Sequence, residues 1–424
     1  MKKPKKNYWE ERSRMSNIPK LRFPEFSGEW EEKKLSDIAS FSKGKGYTKN
    51  DLVKNGTPIV LYGRMYTKYE TVISDIDTFV NLQVGSIISK GGEIIVPASG
   101  ETAEEISRAS VVKNKGIILG GDLNILSLQK DKYNPEFFAL TISSGTSQKR
   151  LSKLAQGKSV VHLHNEDLSG LQIKVPSLAE QQKIADFLSN VDSIITAETK
   201  ILNTLQKKKK ALMQKLYTRQ LRFKSDDGKD FPAWEEKKLG DVCNVLSGKR
   251  VPKGNKLTSV NTGLKYITVS DMGDKFVSNK DIKYITQEIE TKIKKYKVIT
   301  GDIIISVAGT LGKVNIITEE FNNANLTENC DKLTEFKGCI TEYLFYFLQS
   351  DKFLDEINRI KTSSAQPKLA LDRLRIFVIP IPIIKEQQKI AACLSSLDSL
   401  IQTQQKVVTT WQQRKKALLQ KMFV

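Results

Sequence analysis

Apolar residues fall at helical spacing over two long stretches, Pro176 to Leu216 and Pro382 to Met422, and the second repeats the first 206 residues further on. The first reads PSLAEQQKIADFLSNVDSIIT…QKKKKALMQKL, and the second PIIKEQQKIAACLSSLDSLIQ…QQRKKALLQKM. Ile184, Phe187, Val191, Ile194, Ile201, Leu205 and Leu212 have Ile390, Cys393, Leu397, Leu400, Val407, Trp411 and Leu418 as counterparts. Their steps of three and four follow the 3.5-residue repeat of a seam that meets another helix. The spacing therefore predicts two helices packed on each other along these positions. Polar breaks match too, Glu198 with Gln404 and Lys208 with Arg414. At about 1.5 Å rise per residue, each helix is a rod of roughly 60 Å.

Shorter patterns precede each helix, and they repeat as well. WEEKKL occurs at Trp30–Leu35 and again at Trp234–Leu239, below the related segments LRFPEFSGEW from Leu21 and LRFKSDDGKDFPAW from Leu221. β-branched runs bounded by Gly, Asn and Asp predict strands at Ile59–Leu61, Ile94–Val96, Val298–Ile299 and Ile303–Val307. Helical spacing marks Phe137–Ile142 and Tyr343–Leu348. Weaker matches link Gly92–Gly100 with Gly301–Gly309, and Asn134–Leu140 with Ile340–Tyr346. An apolar run closed by proline ends each segment, at Leu168–Val175 and Leu374–Ile381, and proline suits the first turn of the helix that follows. Ser177 and Glu180 form a capping box that the second copy lacks, having Ile383 there, so the second helix should begin less sharply. Helix one continues into Leu221-Arg222-Phe223, whereas helix two stops at Val424; its missing continuation matches Leu21-Arg22-Phe23, which should bring the two termini together.

The chain is thus two versions of one design: an α+β fold with two globular α/β segments in pseudo-twofold relation, separated by two long antiparallel coiled-coil helices. The expected boundaries are a flexible basic N-terminus at 1–20, a first globular domain at 21–175, a spacer helix at 176–218, a second domain at 219–381 and a second spacer helix at 382–424. Met15 is an alternative start.

Charge narrows the function. With 68 Lys and Arg against 48 Asp and Glu, the net charge is +20, which suits a polyanion such as nucleic acid. Cys243, Cys330, Cys339 and Cys393 form no CxxC pair, as in a reducing cytoplasm, and no apolar run approaches the ~18 residues of a membrane span. Catalytic patterns are weak. The only histidines, His162 and His164, lack further ligands at zinc spacing. Gly157-Lys158-Ser159 lacks the upstream glycine of a phosphate loop, and Gly309 to Lys313 is too short for one. Glu93 and Asp302, which a Mg-dependent nuclease would require, sit where acids close turns before strands.

Binding chemistry is better represented. Gly-rich turns carry Lys43, Lys45, Tyr62, Arg64, Tyr66, Lys68, Arg108 and Lys158 in the first half. The second half offers Lys249, Arg250, Lys253, Ser270, Lys313, Lys361 and Lys368. Lys and Arg suit phosphates, while Arg and Ser also read base edges. The Lys207–Lys210 run is either a wet helix face or a track for a DNA backbone.

Two diverged segments, each followed by a P…EQQKIA…L…D helix with a K-A-L-x-Q-K tail, resemble the specificity subunit of type I restriction–modification systems. The likeness extends from about Leu21 to Val424 and includes WEEKKL and the Gly-Asp-Ile-Ile-Ile strand. It implies a non-catalytic, cytoplasmic subunit with two target-recognition domains, which reads an asymmetric bipartite site in double-stranded DNA. It further implies docking of two methyltransferase subunits and of restriction subunits. S-adenosylmethionine, ATP and Mg would then belong to those partners and no cofactor to this chain. The contrasting expectation is an architectural coiled-coil DNA-binding protein without sequence specificity.

Overall fold

The computed structural model describes residues 18–129, 131–157, 160–362 and 368–423. Met15 and most of the basic N-terminus lie outside them, as do Lys158 and Ser159. The described chain divides into two compact units, one running to Thr199 and resuming at Lys406, the other spanning Lys200–Gln405. Both long helices are continuous, Leu178–Tyr217 and Ile384–Met422, so each unit holds the start of one and the end of the other.

WEEKKL and the proline-closed run turn out to be partners. Glu31–Lys34 pairs antiparallel with Gln172–Val175, Glu31 facing Val175 and Lys34 facing Gln172. Glu235–Lys238 repeats this against Val378–Ile381. Trp30 and Trp234 just before these strands, and Leu35 and Leu239 just after them, are buried in the cores.

Each unit then builds two sheets. In the first unit one sheet runs Ala39–Lys43, Leu123–Leu128, Glu93–Pro97, Ser110–Val112, Val72–Ile73, and in the second Asn244–Ser247, Cys330–Thr334, Ile303–Ser306, Val314–Ile316. The shared strands follow one order, and the first unit adds a fifth at its edge. The other sheet has the five strands Leu52–Val53, Phe79–Val80, Thr57–Val60, Lys115–Leu119 and Ile88–Lys90 in the first unit. The second unit keeps only three, Lys283–Tyr284, Lys265–Ile267 and Asn325–Leu326, and adds the helix Gln287–Ile293. Val298–Ile299 is not a strand; a single bridge at Lys297 with Asn325 stands in its place. The expected short helices are present as Pro135–Ile142 and Thr341–Phe347, buried nearly all round.

The EQQ motif fastens each helix to its own unit. Glu180 accepts from Arg22 Nε and Nη2, both at 2.7 Å, and from Trp30 Nε1 at 3.3 Å. Glu386 accepts from Arg222 Nε at 3.1 Å, Arg222 Nη2 at 2.7 Å and Trp234 Nε1 at 2.9 Å. The bidentate hydrogen bond raises the pKa of each arginine. Next in line, Gln181 accepts from the Asn134 amide and donates to Pro176 O, both 2.9 Å. Gln387 accepts from the Ile340 amide and donates to Pro382 O, both 2.8 Å. These contacts correct the expected capping box. Ser177 Oγ does accept from the Glu180 amide, at 3.4 Å, but the Glu180 carboxylate is committed to Arg22 and Trp30. The second helix, without Ser177's equivalent, begins at the matching residue, Ile384 against Leu178, so the lost cap does not delay it.

Within each unit the two helical segments run in opposite directions. Met422 and Phe423 pack in the same core as Ile184, while Lys415 bridges Asp192 at 2.5 Å. In the other unit Leu216 shares a core with Ile390, and Lys209 bridges Asp398 at 2.6 Å. The buried stripe follows most of the expected seam and leaves it at three positions. Ile184, Val191 and Ile390 are buried, and Leu205, Leu212, Leu397, Val407, Trp411 and Leu418 are half-buried. Phe187 packs edge-on to Phe23 and Cys393 is half-buried, but Ile194, Ile201 and Leu400 are exposed. The neighbours Leu188, Leu202, Leu394 and Val408 are buried in their stead.

The termini meet as expected. Leu21 N donates to Lys421 O at 2.9 Å, and within the continuous chain Leu221 N donates to Lys215 O at 3.0 Å. The same hydrogen bond is made once across the termini and once along the chain.

Candidate nucleic-acid interface

Each unit has a Gly-Lys turn where its two sheets meet. Gly44 N donates to Leu123 O at 2.9 Å and Lys45 N to Leu119 O at 3.2 Å. Gly248 N donates to Cys330 O at 2.9 Å and Lys249 N to Leu326 O at 2.8 Å. A β-carbon on Gly44 would stand 1.9 Å from Gly120 O, and one on Gly248 2.0 Å from Thr327 O. Only glycine permits this approach. The following lysines are exposed, and Lys249 Nζ lies 5.7 Å from the centre of the Tyr296 ring.

Beneath these turns the strands present one buried polar side chain each. Asn124 faces Lys43 across the strand pair, and Asp331 faces Ser247. Asn124 donates to Leu163 O at 2.8 Å, with its Oδ1 unpartnered. Asp331 Oδ2 is likewise unpartnered. Burial pushes the Asp331 carboxyl up to about 6, against the pull of a Ser247 hydrogen bond and the charges of Lys368 and Arg375.

The remaining cationic and polar candidates differ in how free they are. Lys43 is exposed at its strand end. Arg64 is committed, pairing with Glu70 and Asp77 at 2.7 Å each, and Lys68 lies beside them, 3.7 Å from Asp77. Tyr62 is exposed and meets Tyr66 edge-on, while Tyr66 donates to Ser99 O at 2.6 Å and is half-buried. Arg108 stacks over Tyr69, 5.5 Å from the ring centre. In the second unit Arg250 pairs with Glu328 yet stays largely exposed, and Lys253 is exposed. Ser270 shares a hydrogen bond with Thr268 Oγ1 at 2.8 Å. Lys313 N donates to Ser306 Oγ at 2.8 Å inside a hairpin turn, so this segment is a β-turn rather than a phosphate loop. Lys368 is exposed and bridges Ala308 through the backbone; Lys361 lies in the last turn of the helix Asp351–Thr362. Within the first unit Lys43 and Lys45 share a turn, while Arg64, Lys68, Tyr62 and Tyr66 form a second group; in the second unit Lys249, Arg250 and Lys253 lie along one segment.

Two sequence questions resolve on local contacts. Lys209 is largely buried between Asp398 and the Tyr346 ring, and Lys210 lies 3.3 Å from Asp351, so the second half of the lysine run holds the helix to its unit. Glu93 accepts from Ser89 Oγ and Lys90 N at 2.6 Å, and Asp302 from Ile299 N at 2.9 Å. Both acids close turns. Among the described residues no group of three or more His, Cys, Asp or Glu gathers as a metal site, and no helix is long and apolar enough to cross a membrane. His162 contacts Ser99 Oγ through Nδ1 at 3.2 Å.

Sequence reasoning passed over Tyr47, Val84, Lys283 and Val260, which shape exposed turns on the second sheets. Their signal, an isolated Val between Gly, Ser and Asn, is too short to register as a periodicity.

Residues 27–207 and 233–410 match the family described as type I restriction modification DNA specificity domain. The chain is 25% identical to the MjaVIII specificity subunit of Methanocaldococcus jannaschii, over 94% of this chain and 92% of that one. It is 25% identical to the EcoBI specificity subunit of Escherichia coli, over 64% and 60% of the two chains. A crystal structure of the type I restriction–modification S subunit from M. genitalium superposes with a TM-score of 0.58 at 18% identity, covering 96% of this chain and 99% of that one. A second solved structure, titled for complex assembly and conformational transition of the type I system, also gives 0.58, at 19% identity over 93% and 97%. With two matched segments, each ending in a long helix, the chain belongs to the family of type I restriction–modification DNA specificity subunits.

Proposed function

We propose that the two units are target-recognition domains that read different half-sites of one asymmetric, bipartite target in double-stranded DNA. As a member of its family the chain recognises DNA and is not catalytic. The observation that carries the reading is the contrast within each unit. The clamp, the paired strands and four strands of the first sheet recur, while the second sheet has five strands in one unit and three in the other. A shared frame with unlike outer sheets suits two readers of unlike sequence. The exposed lysines at Gly44-Lys45 and Gly248-Lys249 serve the phosphates, and the second sheets serve the bases. On this reading the domains are 21–175 and 219–381, and the helices at 176–218 and 382–424 set the gap between half-sites. They also dock two methyltransferase subunits and the restriction subunits, which bring S-adenosylmethionine, ATP and Mg. The complex works in the cytoplasm.

Methylome sequencing of cells expressing the complex tests this directly. Two separated half-sites of different sequence are expected; one half-site, or a palindrome, would overturn the asymmetric reading. Four residues inserted beside Glu198 lengthen the helix by about 6 Å, close to two base-pair steps. The gap should change with both half-sites kept, and an unchanged gap refutes the helices as a ruler.

A further inference from the structure

Val84 is fully exposed, at 107% of the reference area, on a turn that is otherwise well tied. Tyr47 Oη accepts from Gln83 N at 2.8 Å and meets Ser86 Oγ at 2.6 Å, and Ser86 Oγ contacts Gln83 O at 2.7 Å. Gly85 supplies the positive φ of +83° that turns the chain. Lys45 Nζ lies 3.7 Å from where a β-carbon on Gly85 would stand, so a cation sits at the turn that carries the valine. The second unit exposes a valine on a different connection, the one that leads into Lys265–Ile267. Val260 is 71% exposed. Its amide donates to Thr258 Oγ1 at 3.1 Å, and Asn261 Oδ1 accepts from Gly263 N at 2.9 Å. Lys283 Nζ donates to the adjacent Ser259 Oγ at 3.0 Å.

An apolar side chain held in water contributes nothing to the core, and even with Leu82 (58% exposed) and Ile88 (46%) on the same connection the apolar patch is no larger than monomer surfaces ordinarily carry. Base edges in the major groove are polar with one exception, the C5-methyl group of thymine. A valine on a stiff turn, flanked by a lysine for the neighbouring phosphate, matches that group in size and polarity. Side chains that wedge between base steps are instead longer or flatter, such as Leu, Phe or Met.

We infer that Val84 and Val260 are specificity-determining residues, each reading the methyl group of one thymine in its unit's half-site. The inference rests on the units being DNA readers, and the experiment separates the two. Once methylome sequencing has given the target, each thymine in it is replaced in turn by deoxyuridine, which lacks only the methyl group. Affinity is then measured for the complex of this chain with its modification subunits. For the parent, one such replacement in one half-site should weaken binding about fourfold, the worth of one buried methyl group. Val84→Ala should weaken the thymine duplex by a similar factor and be indifferent to uracil there. Val260→Ala should do the same in the other half-site. Since neither valine packs in a core, both variants should fold as the parent does. Equal uracil effects in parent and variants at every thymine, or half-sites without a T·A pair, would overturn the proposal while leaving the readers intact. A parent complex indifferent to sequence sinks both.

Discussion

The unit built around Trp30 and the unit built around Trp234 use the same polar contacts to hold a helix and differ most at the edges of their outer sheets. Glu180 and Glu386 each gather an arginine and an indole, and Gln181 and Gln387 each close a backbone amide and a proline carbonyl. The outer sheets share a three-stranded centre, in which Thr57–Val60 and Lys265–Ile267 each have one antiparallel and one parallel neighbour, and the first unit adds a further strand at both edges. Side chains that must satisfy several partners at once tolerate little change, because removing one leaves the others buried and unpaired. Strands at a solvent-facing edge carry no such obligation, and there the units diverge.

Breaking a clamp should give the largest effect. Glu386 is fully buried, and Glu386→Ala leaves Arg222 and the Trp234 indole without their acceptor. A loss of about 3–5 kcal/mol is expected. Hydrogen exchange should rise across residues 219–381 while the first unit keeps its protection, and Glu180→Ala should produce the mirror result. The double variant Arg222→Met/Glu386→Met should recover much of the loss, since it removes the stranded charge along with its partner. Exchange rising equally in both units would mean that the clamps are not local.

A smaller effect separates the buried stripe from the one that periodicity suggests. Leu202→Ala should cost about 2–3 kcal/mol, and Ile201→Ala less than about 0.5 kcal/mol, because Leu202 is 6% exposed and Ile201 47%. Thermal unfolding of the two variants reads the difference, and equal losses would restore the expected seam.

That pair also shows what the sequence carries. The repeat of EQQKIA and WEEKKL revealed the two-unit plan, the long helices and the joined termini, since each is a matter of order along the chain. It did not reveal what the motifs do. Glu and Gln at the start of a helix read as capping, whereas their partners, Arg22, Trp30 and Asn134, lie far away in sequence. Ile194, Ile201 and Leu400 were expected in the seam but are exposed, because both phases offer apolar side chains at spacings near 3.5, and only neighbouring elements choose between them. The interface was least legible. Arg64 reads as a free cation until Glu70 and Asp77 fold against it, and Val84 reads as nothing until its turn is seen to face water.

The finest distinction lies under the two Gly-Lys turns, where one unit has Asn124 and the other Asp331. Burial holds Asp331 at about 6, above the ~3.9 of an unfolded aspartate. Between those values the folded chain binds a proton that the unfolded chain does not, so stability should rise as pH falls from 7 towards 4. Asp331→Asn should reduce that rise, to which buried Asp302 also contributes, and stabilise the unit at pH 7 by up to about 3 kcal/mol, the cost of ionising a group so displaced. Asn124→Asp should do the reverse, losing the hydrogen bond that Asn124 donates to Leu163 O at 2.8 Å and adding a buried carboxyl to the first unit's pH dependence. Unfolding followed from pH 4 to 8 decides the matter: if Asp331→Asn leaves the pH profile unchanged, the buried carboxylate has a partner at neutral pH, and the two units differ there in name only.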